Sequence, residues 1–159
     1  MSRRKAQAPK QLSRALQARL HRVRLLAMGV DGVLTDAGMR IKLLQAAGLV
    51  TAFITKEKTA IVERRGQKLA VPEVHQGIDD KLAALTTLVK KYGLSLDQVA
   101  YIGDDVNDLD ALRAVGFSAA PADAMPAVLQ AVHYVCKKKG GEGAVRELAD
   151  LILAAHSKS

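Results

Sequence analysis

The sequence predicts an α/β domain: a Rossmann-like, three-layer fold with a mostly parallel sheet of about five to six strands and helices on both faces. Three observations predict it. Short apolar runs, read as buried strands, recur along the chain. Segments with helical periodicity or helix stop signals alternate with them, the pattern of βαβ units. The chain has 159 residues, with no internal repeat and no long linker, the usual size of one domain with its own core.

The elements follow in order. Residues 1–10 are polar and basic and read as a disordered tail. Leu12, Leu16 and Leu20, four apart, form one stripe of a helix over 11–22. Leu25 to Val30 reads as the first strand. Residues 39–47 read as a helix that stops at Gly48, and Leu49 to Ile54 as the second strand. A helix over 58–70, weakened by Gly66, leads past Pro72 to a brief third strand at 73–75. Leu82, Leu85 and Val89 share one face of a helix over 80–92, ended by Gly93. Ser95 and Gln98 have capping-box spacing. Residues 99–103 read as the fourth strand, 108–115 as a helix stopped by Gly116, and 117–119 and 132–136 as the fifth and sixth strands. The last helix, over 142–155, carries Val145, Leu148, Ile152 and Ala155 on one stripe.

Composition narrows the function classes. Hydrophobic residues make up 49% and charged residues 25%, ordinary globular values that argue against general disorder. Cys136 is the single cysteine, so no intramolecular disulfide forms, and no Cys/His pair has zinc spacing. Its apolar surroundings read as a buried thiol rather than a reactive one. No apolar run reaches the ~20 residues of a membrane span. The basic start lacks the apolar stretch of a secretory signal, so the expected location is cytoplasmic. The net charge of +8 is concentrated before residue 25 and at Lys137, Lys138 and Lys139. Such patches attract anions. No aromatic side chains interleave them, and the reading is a solvated tail and helix face rather than a nucleic-acid platform.

In open parallel sheets, ligands bind beyond the carboxyl ends of the strands. The first strand delivers Asp31 there, the second Thr55, and the fourth Asp104 and Asp105, with Asn107 and Asp108 just after. Lys81 follows the third strand. Carboxylates on that rim suit a hard cation such as Mg²⁺, and a hydroxyl and an ammonium suit phosphate oxygens. Lys81 sits in the first turn of its helix, where a cation is locally unfavourable. Either a phosphate or the adjacent Asp79 and Asp80 offsets that charge, and the sequence leaves both readings open.

These residues fall into four ordered motifs. Val30-Asp31-Gly32-Val33-Leu34-Thr35-Asp36 resembles the first motif of the haloacid-dehalogenase phosphatases. Ile54-Thr55 resembles the second, Lys81 within Asp79-Asp80-Lys81-Leu82-Ala83-Ala84-Leu85 the third, and Tyr101-Ile102-Gly103-Asp104-Asp105-Val106-Asn107-Asp108-Leu109 the fourth. The tail Gly140-Gly141-Glu142-Gly143-Ala144-Val145-Arg146-Glu147 and the stretch Ala120-Pro121-Ala122-Asp123-Ala124 are similar to the capless 3-deoxy-D-manno-octulosonate 8-phosphate phosphatases. The resemblance divides the chain into a basic tail and helix, 1–22, and a haloacid-dehalogenase-like domain, 23–159. It implies Mg²⁺-dependent hydrolysis of a small phosphorylated sugar acid or other phosphoester, through an aspartyl-phosphate, in a homotetramer. Asp31 would then be the acid/base and offer its backbone carbonyl to the metal. Asp104 would be a direct ligand supported by Asp105 and Asp108, and Thr55 and Lys81 would hold the phosphate.

The chain departs from the family at three places. Gly29 stands where the family has its nucleophilic aspartate, which removes the attacking oxygen and one anionic metal ligand. The β-hairpin flap that follows the first motif is missing, because Asp36 runs almost directly into the next helix; the tetramer and substrate choice depend on that flap. Lys56-Glu57 replaces the Gly-Arg that normally continues the second motif. The expectation is an impaired phosphatase relative with weakened Mg²⁺ affinity. One alternative is an active hydrolase using a rearranged site or a metal-bound water. Another is a non-enzymatic binding protein acting through its basic N-terminus.

Overall fold

A computed structural model describes residues 12–29 and 37–157. The expected strand at 25–30 and the first motif, including Asp31, lie partly outside the described residues. Among these residues six strands form one sheet: β1 (Leu25–Met28), β2 (Val50–Ile54), β3 (Glu73–His75), β4 (Val99–Ile102), β5 (Phe117–Ala120) and β6 (Tyr134–Val135). Their order is β3-β2-β1-β4-β5-β6, and every pairing is parallel. Among the described residues seven α-helices cover it: α1 (Arg14–Arg22), α2 (Gly38–Ala46), α3 (Ala60–Lys68), α4 (Lys81–Lys91), α5 (Leu109–Ala114), α6 (Pro126–Ala131) and α7 (Ala144–Ser157).

The period-two alternation of strand side chains separates two apolar layers. Leu26, Met28, Phe53, Ile102 and Phe117 face the core shared with α1, α2, α3 and α7. Leu25, Ala27, Ile54, Val99 and Tyr101 face the core shared with α4, α5 and α6. The leucine stripe of α1 works as expected: Leu20 is buried in the first core, and Leu12 and Leu16 pack against it. Ser13 caps this helix by accepting the Leu16 N–H at 3.2 Å.

Three expectations need correction. Helix α6 was not read from the sequence; its signal is Pro126 at the first helical position, where a missing N–H carries no penalty. β6 is Tyr134–Val135 rather than 132–136. His133 leaves the ladder because side chains take over its bonds: its N–H donates to Ser118 Oγ at 2.9 Å, and its Nδ1 accepts the Ser118 N–H at 3.0 Å. The helix expected from Asp108 begins at Leu109, preceded by a 3₁₀ turn over Val106–Asp108. Gly66, a weak point by helix propensity, is required by packing: a Cβ there would meet Val74 Cγ2 at 2.6 Å.

Edge strand β3 is tied to α4 by a buried carboxylate. Glu73 accepts from Lys91 Nζ at 2.6 Å, from the Tyr92 hydroxyl and from His75 Nε2 at 2.9 Å. Burial opposes ionisation of Glu73, but the hydrogen bonds from Lys91, Tyr92 and His75 outweigh it and lower the carboxyl to about 2. Because the folded value lies below the unfolded one, Glu73 contributes stability above the ordinary carboxylate range, and this is lost as pH falls toward 2. Glu73→Gln is therefore expected to destabilise the protein at neutral pH and to flatten the decline in stability between about pH 5 and 2. Urea unfolding across that range checks it; an unchanged acid limb would show that Glu73 is not the titrating group.

Candidate active site

β1 and β4 lie side by side, yet the chain leaves β1 toward β2 and returns at β4. This is the switch point at which an open sheet leaves a crevice beyond its carboxyl edge. A cavity of about 220 Å³ lies there, lined by Gly29, Thr55, Lys56, Glu57, Lys81, Asp104, Asp105, Asn107 and Asp108. The described residues that the sequence singled out, from four separate segments, thus meet in one place. Asp31 is outside the described residues.

Asp108 organises the site. Its Oδ1 accepts from Lys81 Nζ at 2.7 Å and from the Tyr101 hydroxyl at 2.6 Å. Its Oδ2 accepts the backbone N–H groups of Asp104 at 3.0 Å and Asp105 at 3.1 Å. One carboxylate therefore fixes the turn after β4 and aims Lys81. Gly103 makes room for it, since a Cβ at that position would lie 2.5 Å from Asp108 Cγ. The open question about Lys81 resolves on neither neighbour: Asp80 caps α4 by accepting the Ala83 N–H, and Asp79 pairs loosely with Lys56 at 3.9 Å. Lys81 also donates to Asn107 Oδ1 at 3.3 Å.

Tyr101 opens the fourth motif in the sequence reading, but its role went unassigned there. It is hidden in the apolar run of β4, and its hydroxyl gave the only hint that the run ends on a polar partner. Burial, then the Asp108 charge and hydrogen bond, raise its phenol well above the usual tyrosine range, so it stays a neutral donor. Thr55 is buried, and its Oγ1 accepts the Glu57 N–H at 3.1 Å, which shapes the turn after β2. Cys136 is buried, and burial together with Glu147 pushes its thiol up to about 12, leaving it inert.

Asp104 differs from its neighbours. It is half-buried, and only its own backbone N–H and the more distant Lys81 charge favour its ionised form. Burial, with like charge on Asp108 and Asp105, raises it to about 6. A carboxylate compensated only in part, in a polar cleft, fits a hard cation that keeps most of its water shell. Among the described residues no three His, Cys, Asp or Glu side chains converge to form a complete protein cage. Residues 29–37 link β1 to α2.

Among the described residues no helix is long and apolar enough to cross a membrane. A family model for haloacid dehalogenase-like hydrolases matches residues 50–148. The chain is 38% identical over 154 residues to the 3-deoxy-D-manno-octulosonate 8-phosphate phosphatase of Yersinia pestis, covering 86% of this chain and 82% of the relative. That alignment is longer than the part of this chain that takes part in it, so the relative carries residues with no counterpart here. The phosphatase of the same name from Moraxella catarrhalis, solved with a magnesium ion, a phosphate ion and KDO, superposes with a TM-score of 0.87 at 36% identity, covering 89% of this chain and 92% of that one. A cobalt-bound deoxy-D-mannose-octulosonate 8-phosphate phosphatase from Haemophilus influenzae superposes with a TM-score of 0.84 at 36% identity, covering 89% of this chain and 93% of that one.

Proposed function

Because the chain belongs to the haloacid dehalogenase-like hydrolases, among the 3-deoxy-D-manno-octulosonate 8-phosphate phosphatases, we propose that it keeps the phosphate- and cation-binding side of that site but is impaired in turnover. The observation that carries this reading is Gly29 in the cavity wall, alongside Thr55, Lys81 and Asp104. The cleft offers a hydroxyl, an ammonium and carboxylates, and no side chain where the attacking oxygen belongs.

The ligand class is a small phosphomonoester, a sugar-acid phosphate by analogy with the relatives. Thr55 and Lys81 would receive its phosphate, and Asp31 would stand as the acid/base. Asp104, with the backbone carbonyl of Asp31, would hold Mg²⁺, whose chemistry is to neutralise phosphate charge. Asp105 and Asp108 support Asp104 by fixing the turn. Without an aspartate at 29 there is one anionic ligand fewer, which weakens Mg²⁺ binding. Glu57 adds a negative charge at the rim that opposes phosphate entry. The covalent route is closed because no nucleophile can form the phosphoenzyme. The short β1–α2 connection also removes the flap that the family uses in its tetramer, so assembly is proposed to differ.

The test is Mg²⁺-dependent hydrolysis of 3-deoxy-D-manno-octulosonate 8-phosphate and of a generic phosphomonoester, by this chain and by Asp31→Asn. Turnover near background, and unchanged by Asp31→Asn, is expected. Turnover at an ordinary enzymatic rate that Asp31→Asn abolishes overturns the reading in favour of an active hydrolase with a rearranged site.

A further inference from the structure

The backbone of Asp104 is held from two sides. Asp108 accepts its N–H at 3.0 Å. Its carbonyl accepts the Met125 N–H, also at 3.0 Å, from the residue that precedes α6. With both groups bonded, the turn after β4 has little freedom to swing the Asp104 side chain, which lines the cleft. The Met125 side of this hold is anchored outside the cleft. Residues 121–125 lie against the turn that leads from β6 to α7. The Ala122 N–H donates to Lys138 O at 2.9 Å, and Asp123 Oδ1 accepts the Gly140 N–H at 2.8 Å. That second turn is pinned by Glu147 of α7, whose carboxylate accepts the Lys137 N–H at 2.9 Å and the Lys138 N–H at 3.1 Å. Gly141 and Gly143 have φ of 79° and 114°, values that side chains disfavour, which lets the chain bend there and keep Gly140 on Asp123. The two stretches that the sequence sets apart, 120–124 and 140–147, are thus the two halves of one contact, and neither lines the cleft.

We propose that residues 121–125 are a clamp that aims Asp104 at its cation, and that Asp123 is a further positioning residue, acting through Gly140 and Met125 rather than by touching the ligand. The proposal rests on the reading that Asp104 holds Mg²⁺. Hydrogen bonds and short chain segments run from Glu147 through Lys138, Ala122 and Met125 to the Asp104 carbonyl. Asp123 adds the second bond between the two turns, so the turn before α6 is fixed at two points instead of one. Its side chain is exposed, so removing it leaves the core untouched.

Asp123→Ala and Asp123→Asn are compared with the unaltered chain by Mg²⁺ titration, followed by backbone amide shifts, and by amide hydrogen exchange without metal. Asp123→Ala is expected to speed exchange of the Met125 N–H and to weaken Mg²⁺ binding about fivefold or more, the scale on which residues outside a site alter it. Asp123→Asn still offers Gly140 an oxygen and is expected to bind Mg²⁺ within about twofold of the unaltered chain. A carboxylate acting through its charge would instead lose as much in the asparagine variant as in the alanine one. The metal-free melting temperature is expected to change little, because Asp123 is exposed. Equal Mg²⁺ affinity in Asp123→Ala, failure of Asp123→Asn to restore it, or a loss explained by a metal-free variant already unfolding at the working temperature would each overturn the clamp and leave the phosphatase reading standing. No Mg²⁺ binding by the unaltered chain would overturn that reading, and the clamp's role with it.

Discussion

Gly29→Asp is expected to raise Mg²⁺-dependent phosphomonoester hydrolysis by about 10⁴-fold or more over the unaltered chain, the scale on which loss of a single nucleophile acts in other enzymes. Gly29 is already in position to deliver it. Its N–H donates to Ile102 O at 3.4 Å, so the chain is still in step with β4 one residue beyond β1. The cavity that it lines holds Thr55, Lys81 and Asp104 in contact with the same space. An aspartate there adds an attacking oxygen and a metal ligand together, so calorimetry should show tighter Mg²⁺ binding. It also adds a negative charge near Asp104, already pushed to about 6 by burial and its neighbours. Without Mg²⁺ the variant should therefore melt below the unaltered chain, and Mg²⁺ should recover the difference. A variant that binds Mg²⁺ more tightly yet stays silent would assign the impairment to the short β1–α2 connection or to Lys56-Glu57. One with neither gain would show that the cleft is not a phosphatase site.

Asp108→Ala is expected to remove about 3–5 kcal/mol of folding stability, the range for breaking one partner out of a buried ion pair. The side chains of Lys81 and Asp108 are only 7% and 3% exposed. Without the carboxylate, the ammonium keeps among the described residues only Asn107 at 3.3 Å, and the Tyr101 hydroxyl and two backbone N–H groups lose their acceptor. Against a typical total of about 5–15 kcal/mol, such a loss leaves part of the population unfolded. Urea denaturation measures it. Asp108→Asn, which keeps the shape and some of the hydrogen bonds, should lose less and remain folded if the alanine variant does not. A loss below about 1 kcal/mol for Asp108→Ala would mean that water substitutes for the carboxylate.

The sheet and most of the helices were legible because β1 and β4 are unbroken apolar runs and β2 and β5 largely so, separated by glycines such as Gly48, Gly93 and Gly116 that stop helices. The cleft was legible for a related reason: parallel topology sends every strand's last residues to one edge, so Thr55, Asp104 and Asp105 had to converge. Side-chain partners across that edge were less accessible. The Lys81–Asp108 pair joins residues 27 apart in sequence, and nothing local distinguishes Asp108 from a solvated acid. The role of Tyr101 was lost among its neighbours because apolar periodicity carries no information about one hydroxyl. Helix α6 is too short for periodicity to register, and β6 was overextended because Val132 and Cys136 bracket it with apolar side chains while the Ser118 side chain diverts the backbone at His133.

The place of β1 within the sheet bears on how the chain comes to be folded. Leu25 pairs with Val50 on one side and with Val99 on the other. The first partner leaves the ribosome soon after β1, whereas the second follows only when well over half of the protein has been made. At translation speeds of about 5–20 residues per second, one edge of a wholly apolar strand stays open for several seconds. Contacts this distant in sequence slow folding and prolong exposure to aggregation. A nascent chain stalled before Val99 should therefore bind chaperones that shield extended apolar segments, and release from them should coincide with the emergence of β4.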